Sequence, residues 1–206
     1  MAGASLLVLL AAGCQAGAGG ASPQPAGSSA VVRPSAVAWQ RFTDGCPTLT
    51  APPYGVGAKG KRYPPYVAPG DQTVLDRVVP GASFDQAYCS YKIAGSDLPI
   101  VSADVRIFRG ANGASQVDTL FQSENAAAKR LAGPDYADVP QLGDGAFATF
   151  YFETHLQLTA RSSNAYIRVA VSLDPETVKS FDVLQPLPPQ VPALSAVMTD
   201  VLAELR

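Results

Sequence analysis

The sequence predicts an α+β domain built on a mostly antiparallel sheet of about five strands, with helices packed mainly on one face. Three observations predict it. Several short segments alternate apolar and polar residues with a period of two. Those strands carry polar residues on one side, as antiparallel sheets allow. Two longer segments carry apolar stripes at helical spacing.

Order is expected to begin near Trp39. Asp44-Gly45-Cys46-Pro47 reads as a turn, and residues 48–70 are rich in Pro and Gly without a clear period, hence irregular. Residues 71–79 place Leu75, Val78 and Val79 at helical spacing, with Asp71 as the cap and Pro80-Gly81 as the stop. In the strand that follows, Ala87, Cys89, Tyr91 and Ile93 face one way and Tyr88, Ser90 and Lys92 the other. Val101, Ala103, Val105 and Ile107 alternate with Ser102, Asp104 and Arg106 in a second strand with one wet face. Residues 115–131 form a helix with Val117, Leu120, Phe121, Ala128 and Leu131 on one stripe, ended by Gly133-Pro134.

A meander comes next. Residues 146–152 make an apolar strand whose Phe147, Phe150, Tyr151 and Phe152 put aromatic rings on both of its faces. Leu156, Leu158 and Ala160 then alternate with His155, Gln157, Thr159 and Arg161. Ile167, Val169, Val171 and Leu173 alternate with Tyr166, Arg168 and Ser172, across a hairpin at Ser162-Ser163-Asn164. Asp174-Pro175-Glu176 starts a helix, residues 186–192 are extended, and Leu194, Val197, Met198, Val201 and Leu205 stripe a terminal helix.

The 206 residues accommodate one domain with appendages. A net charge of −2 excludes the basic excess that a nucleic-acid partner calls for. The appendages are at the start. Leu6-Leu7-Val8-Leu9-Leu10-Ala11-Ala12 is apolar but far short of the roughly 20 residues that span a bilayer. It suits a signal peptide, and Ala11-Ala12-Gly13-Cys14 reads as a lipobox. The usual Leu or Val is Ala11 here, and Met1 to Ser5 lack the customary Lys or Arg. The expectation is cleavage before Cys14, fatty acylation of its sulfur, and anchoring on the extracytoplasmic face of the cell membrane, since two or more acyl chains hold stably. Residues 15–38, rich in Ala, Gly, Ser and Pro, read as a flexible tether. The division is therefore a signal peptide at 1–13, lipidated Cys14 and tether at 14–38, and one domain at 39–206. In an oxidising compartment the two remaining cysteines, Cys46 and Cys89, most often pair. That bond closes a loop of about 43 residues, which the chain-entropy model values at roughly 4 kcal/mol.

Candidate sites are sparse. His155, the single histidine, lies on a polar strand face without a recognisable nucleophile motif nearby. Asp135, Asp138 and Asp144 lack the spacing of a calcium loop and read as turn residues. Gly110-Ala111-Asn112-Gly113 lacks the Lys-Ser/Thr of a phosphate loop. The most distinctive surface candidate is a partner-binding loop of Lys59, Lys61, Arg62, Tyr63 and Tyr66, whose cations and tyrosines suit anionic head groups, cell-wall polymer or a protein. No cofactor, metal or catalytic set is expected.

The lipobox, the tether, the cysteines in Asp44-Gly45-Cys46 and Tyr88-Cys89-Ser90-Tyr91, and Leu142-Gly143-Asp144-Gly145-Ala146-Phe147 before the hairpin together form a pattern. It resembles the DUF3558-type lipoproteins of actinobacteria over residues 39–206, and the Arg-, Ala-, Gly- and Pro-rich composition suits a GC-rich genome. The resemblance implies an envelope location and this fold rather than an activity, and similar mycobacterial envelope domains are thought of as sensor or ligand-binding modules. The expected function is thus a non-catalytic module holding a small apolar ligand or an envelope protein. A cell-envelope hydrolase and a purely structural envelope component are the alternatives.

Overall fold

A computed structural model describes residues 38–95, 99–151, 155–172 and 190–206. The expected signal peptide, Cys14, the tether up to residue 37, Phe152, Leu173, the helix start at Asp174-Pro175-Glu176 and residues 186–189 of the extended segment lie outside them. In chain order the elements are β1 (Lys61–Tyr63), α1 (Pro69–Val78), β2 (Phe84–Lys92), β3 (Pro99–Phe108), α2 (Gly113–Ala132), β4 (Tyr136–Asp138), β5 (Gly145–Tyr151), β6 (His155–Ser162), β7 (Ala165–Ser172) and α3 (Val191–Ala203). The strands form one sheet in the order β1-β2-β3-β7-β6-β5-β4, with every neighbouring pair antiparallel.

The α+β class and the antiparallel sheet are as expected. The sheet has seven strands rather than about five because two three-residue edge strands, β1 and β4, are too short to show a period. Short edges leave little unpaired backbone to recruit another chain, and Pro64-Pro65 ends β1 with two residues that have no N–H to offer.

Alternation divides the sheet into two faces. On the first, Ala87, Cys89, Val101, Ala103, Val105, Leu158, Ile167 and Val169 are buried beneath Leu194, Val197, Met198 and Val201 of α3 and beneath Phe42 and Leu49 of the N-terminal segment. Pro192, expected to be extended, instead stands in the first turn of α3, where a proline has no helical N–H to lose. Cys46 and Cys89 stand in disulfide geometry, with Cα atoms 5.7 Å apart. The pair ties the irregular segment to this face, and Tyr91 adds a hydrogen bond of 3.0 Å from its hydroxyl to the Pro47 carbonyl.

The second face was expected to be wet, and it is not. Leu75 and Val79 of α1 and Val117, Leu120, Phe121 and Ala128 of α2 pack on it around Phe108, Phe147 and Tyr166. Helices therefore cover both faces, two on one and α3 on the other. Polar strand residues such as Arg106 and Thr159 are buried as a result. Leu131, expected on the inner stripe of α2, is 73% exposed, one residue from the end of that helix.

The two-residue turn between β6 and β7 does structural work beyond reversing the chain. Asn164 accepts a hydrogen bond from the Trp39 N–H at 2.7 Å and donates from its amide to the carbonyls of Trp39 and Phe108, each at 2.9 Å. It thereby fastens the start of the described chain to the end of β3. Asp144 accepts from the Ser163 N–H at 2.6 Å, which accords with the turn role expected of it.

Candidate functional site

On the second face, alternation lines up Asp104 and Arg106 of β3, Tyr166 and Arg168 of β7, and Gln157 and Thr159 of β6. Register makes Asp104 face Arg168, and Arg106 face Tyr166, across the β3–β7 pair. The helices above supply acids. Asp71 lies in the first turn of α1. Glu124 begins a stripe on α2 that continues through Ala127, Ala128 and Leu131 at i+3, i+4 and i+7, one side of a helix.

These charges interlock. Asp71 Oδ2 accepts from Arg106 Nη2 at 2.8 Å and from Arg168 Nη1 at 2.7 Å. Arg106 also pairs with Asp104 at 2.7 Å, and Arg168 Nη2 donates to Glu124 Oε1 at 2.6 Å. The Tyr166 hydroxyl donates to Glu124 Oε2 and accepts from Arg168 Nε at 3.1 Å. The Arg106 side chain is 2% exposed, so its charge depends on these partners rather than on water.

The expected cap is therefore something else. Asp71 makes no capping bond, and Ala68 occupies the N-cap position without a side-chain cap. Two guanidiniums bind its carboxylate more strongly than a backbone N–H would, because here both donor and acceptor carry a full charge. Burial works to raise the Asp71 carboxyl, but the Arg168 and Arg106 guanidiniums outweigh it and hold the group below its usual value. Burial likewise opposes the charge on Arg168, and the Tyr166, Glu124 and Asp71 groups around it overcome that and keep it firmly protonated. The Tyr166 hydroxyl is pushed well up, first by burial and then by the Glu124 carboxylate, against the opposing pull of Arg168.

Beside the network lies a cleft of about 240 Å³ between α1, α2 and the sheet. Helix α1 contributes Asp71 and Val74, α2 contributes Glu124, Ala127, Ala128 and Leu131, and the sheet contributes Phe147, Gln157 and Arg168. Phe147 is anchored by Phe121 at 5.4 Å and by a stacked Tyr136 at 6.0 Å between ring centroids. Phe147 lines this cleft, and Phe150 of the same strand packs with the α3-side core. The cleft lining thus combines ionised, hydrogen-bonded groups with apolar side chains.

The other sequence candidates do not meet here. The Lys59–Tyr66 segment is not a free loop, because residues 61–63 are edge strand β1. The Arg62 guanidinium is engaged by the Thr43 carbonyl and by that of Gly45 at 3.3 Å. Tyr63 sits edge-on to Tyr88 at 6.3 Å, and Lys61 lies over the Tyr63 ring at 5.1 Å. Lys59 is bridged through its backbone to Thr48, and Tyr66 stays 68% exposed. His155 is exposed at the start of β6. Asp138 is held by Tyr136 and Lys129. Among the described residues, no three His, Cys, Asp or Glu side chains come together to hold a metal, and no helix is long and apolar enough to cross a membrane.

Comparison of the chain with family models, with curated proteins and with solved structures found no match.

Proposed function

We propose that the chain is a membrane-anchored extracytoplasmic lipoprotein of DUF3558-like type, acylated at Cys14, whose domain is a non-catalytic binding module. The observation that carries the binding role is the cleft lined by the charged Asp71, Glu124 and Arg168 and by the apolar Val74, Leu131 and Phe147. A concave site with an apolar wall and a few convergent polar groups is the usual form of a small-molecule site. A binding rather than catalytic role is favoured by the state of Asp71. The Asp71 carboxyl is held ionised by two arginines, which makes it a poor proton donor and a poor base near neutral pH. The pairing geometry of Cys46 and Cys89 suits an oxidising compartment, where such a bond persists.

Two measurements test the two halves. In an actinobacterial host, the wild type is expected in the detergent phase with the mass of a diacylglyceryl group on Cys14, and Cys14→Ser in the aqueous phase. A detergent-phase Cys14→Ser product refutes the anchoring. Native mass spectrometry of the full chain carrying Cys14→Ser, purified from its own envelope, is expected to show a bound small molecule. Uniformly unliganded protein refutes the binding role.

A further inference from the structure

Resting on that reading of the cleft, we propose that its ligand is a small organic ammonium ion, a protonated amine on a short apolar or aromatic body. The first argument is charge. Five ionised groups meet in the network, the carboxylates Asp71, Asp104 and Glu124 and the guanidiniums Arg106 and Arg168, so it sums to −1. The second is the direction of the unused hydrogen-bonding capacity. Arg168 aims Nε at Tyr166 and one N–H each of Nη1 and Nη2 at Asp71 and Glu124, so a ligand anion reaching its remaining N–H groups would come up against two carboxylates already in place. Asp71 instead takes both arginines on Oδ2, which leaves Oδ1 without a partner among the described residues. Gln157 donates Nε2 to Thr159 at 2.9 Å and leaves its own carbonyl oxygen likewise unpartnered. Both residues line the cleft, and among the described residues no lysine does.

The cleft therefore presents two open acceptors, one of them anionic, within a network of net negative charge, and an ammonium group brings up to three donors and the balancing charge. The wall sets the rest of the ligand. Phe147, Val74 and Leu131 are apolar, and Leu131 stands 73% exposed at the rim, where a short apolar body would cover it. A volume of about 240 Å³ is below the ~300–1,000 Å³ of drug-sized sites, which limits that body to about one ring.

The test compares three probes of one shape by amide NMR titration of the full chain carrying Cys14→Ser at pH 7: phenethylamine, phenethyl alcohol and 3-phenylpropionate. The expected result is saturable shifts at Phe147, Gln157 and Arg168 with phenethylamine, and at least tenfold weaker binding of the other two. Asp71→Asn should weaken the amine at least tenfold. Because that substitution also loosens the arginine network, Ala127→Phe, which fills the cleft from α2, is the second variant and should abolish the shifts. Equal or tighter binding of the alcohol or the carboxylate overturns the ammonium assignment and leaves the cleft as a binding site. Absence of saturable shifts with all three also overturns the assignment, while native mass spectrometry judges the cleft separately.

Discussion

Asp71→Asn is the most informative single perturbation, because one carboxylate holds two guanidiniums and pins α1 to the sheet. The amide keeps the shape and one acceptor oxygen but removes the charge. Arg106, 2% exposed, is left with Asp104, and Arg168, 15% exposed, is left with Glu124 and Tyr166. Breaking a fully buried ion pair costs about 3–5 kcal/mol. Asp71 is 29% exposed and each arginine keeps a second carboxylate, so we expect a loss of about 2–3 kcal/mol. For a domain of this size, each kcal/mol moves Tm by about 2–4 °C, which gives a drop of about 4–12 °C. Urea unfolding followed by the fluorescence of Trp39, the single tryptophan, measures the change, and an unaltered slope against urea shows that the compactness of both end states is kept. A loss below about 0.5 kcal/mol, the range of an ordinary surface substitution, would refute the reasoning, because the Asp71 carboxylate would then be a solvated group. A double-mutant cycle with Arg168→Gln should show coupling above about 0.5 kcal/mol.

Three further outcomes follow from the same structure. The Asp71 carboxyl has a lowered pKa when folded, so its stabilisation is complete above the unfolded value of about 3.9 and is lost as pH falls through the folded value. The stability gap between wild type and Asp71→Asn should accordingly be flat near pH 6–7 and narrow below about pH 4 in urea titrations. Replacing Cys46 and Cys89 together by Ser, which releases a loop with a sequence separation of 43, should cost roughly 4 kcal/mol by the same assay, with little change in far-UV circular dichroism at low temperature. Gly143→Ala should destabilise by about 1–3 kcal/mol, since φ is +56° and the added Cβ would lie 2.3 Å from the Arg161 carbonyl oxygen. Gly45→Ala, with nothing within 4 Å, is the near-neutral control.

What could be read from the chain alone follows the range of the interactions. Alternation is local, and it correctly placed Ala87, Cys89 and Tyr91, or Leu156, Leu158 and Ala160, on one buried face. The helical stripes of α2 and α3 were legible for the same reason, except for Leu131 near the end of α2, where the stripe runs off the sheet. The cleft was not legible. Asp104, Arg106 and Arg168 were placed on the polar sides of their strands, and a charged strand face with no known cover reads as wet. That β3 lies beside β7, bringing Asp104 opposite Arg168 at a sequence separation of 168 − 104 = 64, is a matter of long-range pairing with no local period. Asp71 gave a signal, an acid in a first helical turn, that a cap explains equally well. Glu124 gave none, because an acid on a helix is ordinary until the sheet beneath it is known to carry arginines.

The central claim is that the space between α1, α2 and the sheet is kept for a ligand rather than left over by packing. The most direct measurement is native mass spectrometry of two full chains, both carrying Cys14→Ser and one also carrying Ala127→Phe, purified side by side from their own envelope. The account predicts a bound species of one defined mass on the first and none on the second, with the two equally folded. The same species on both chains, or none on either, would contradict it.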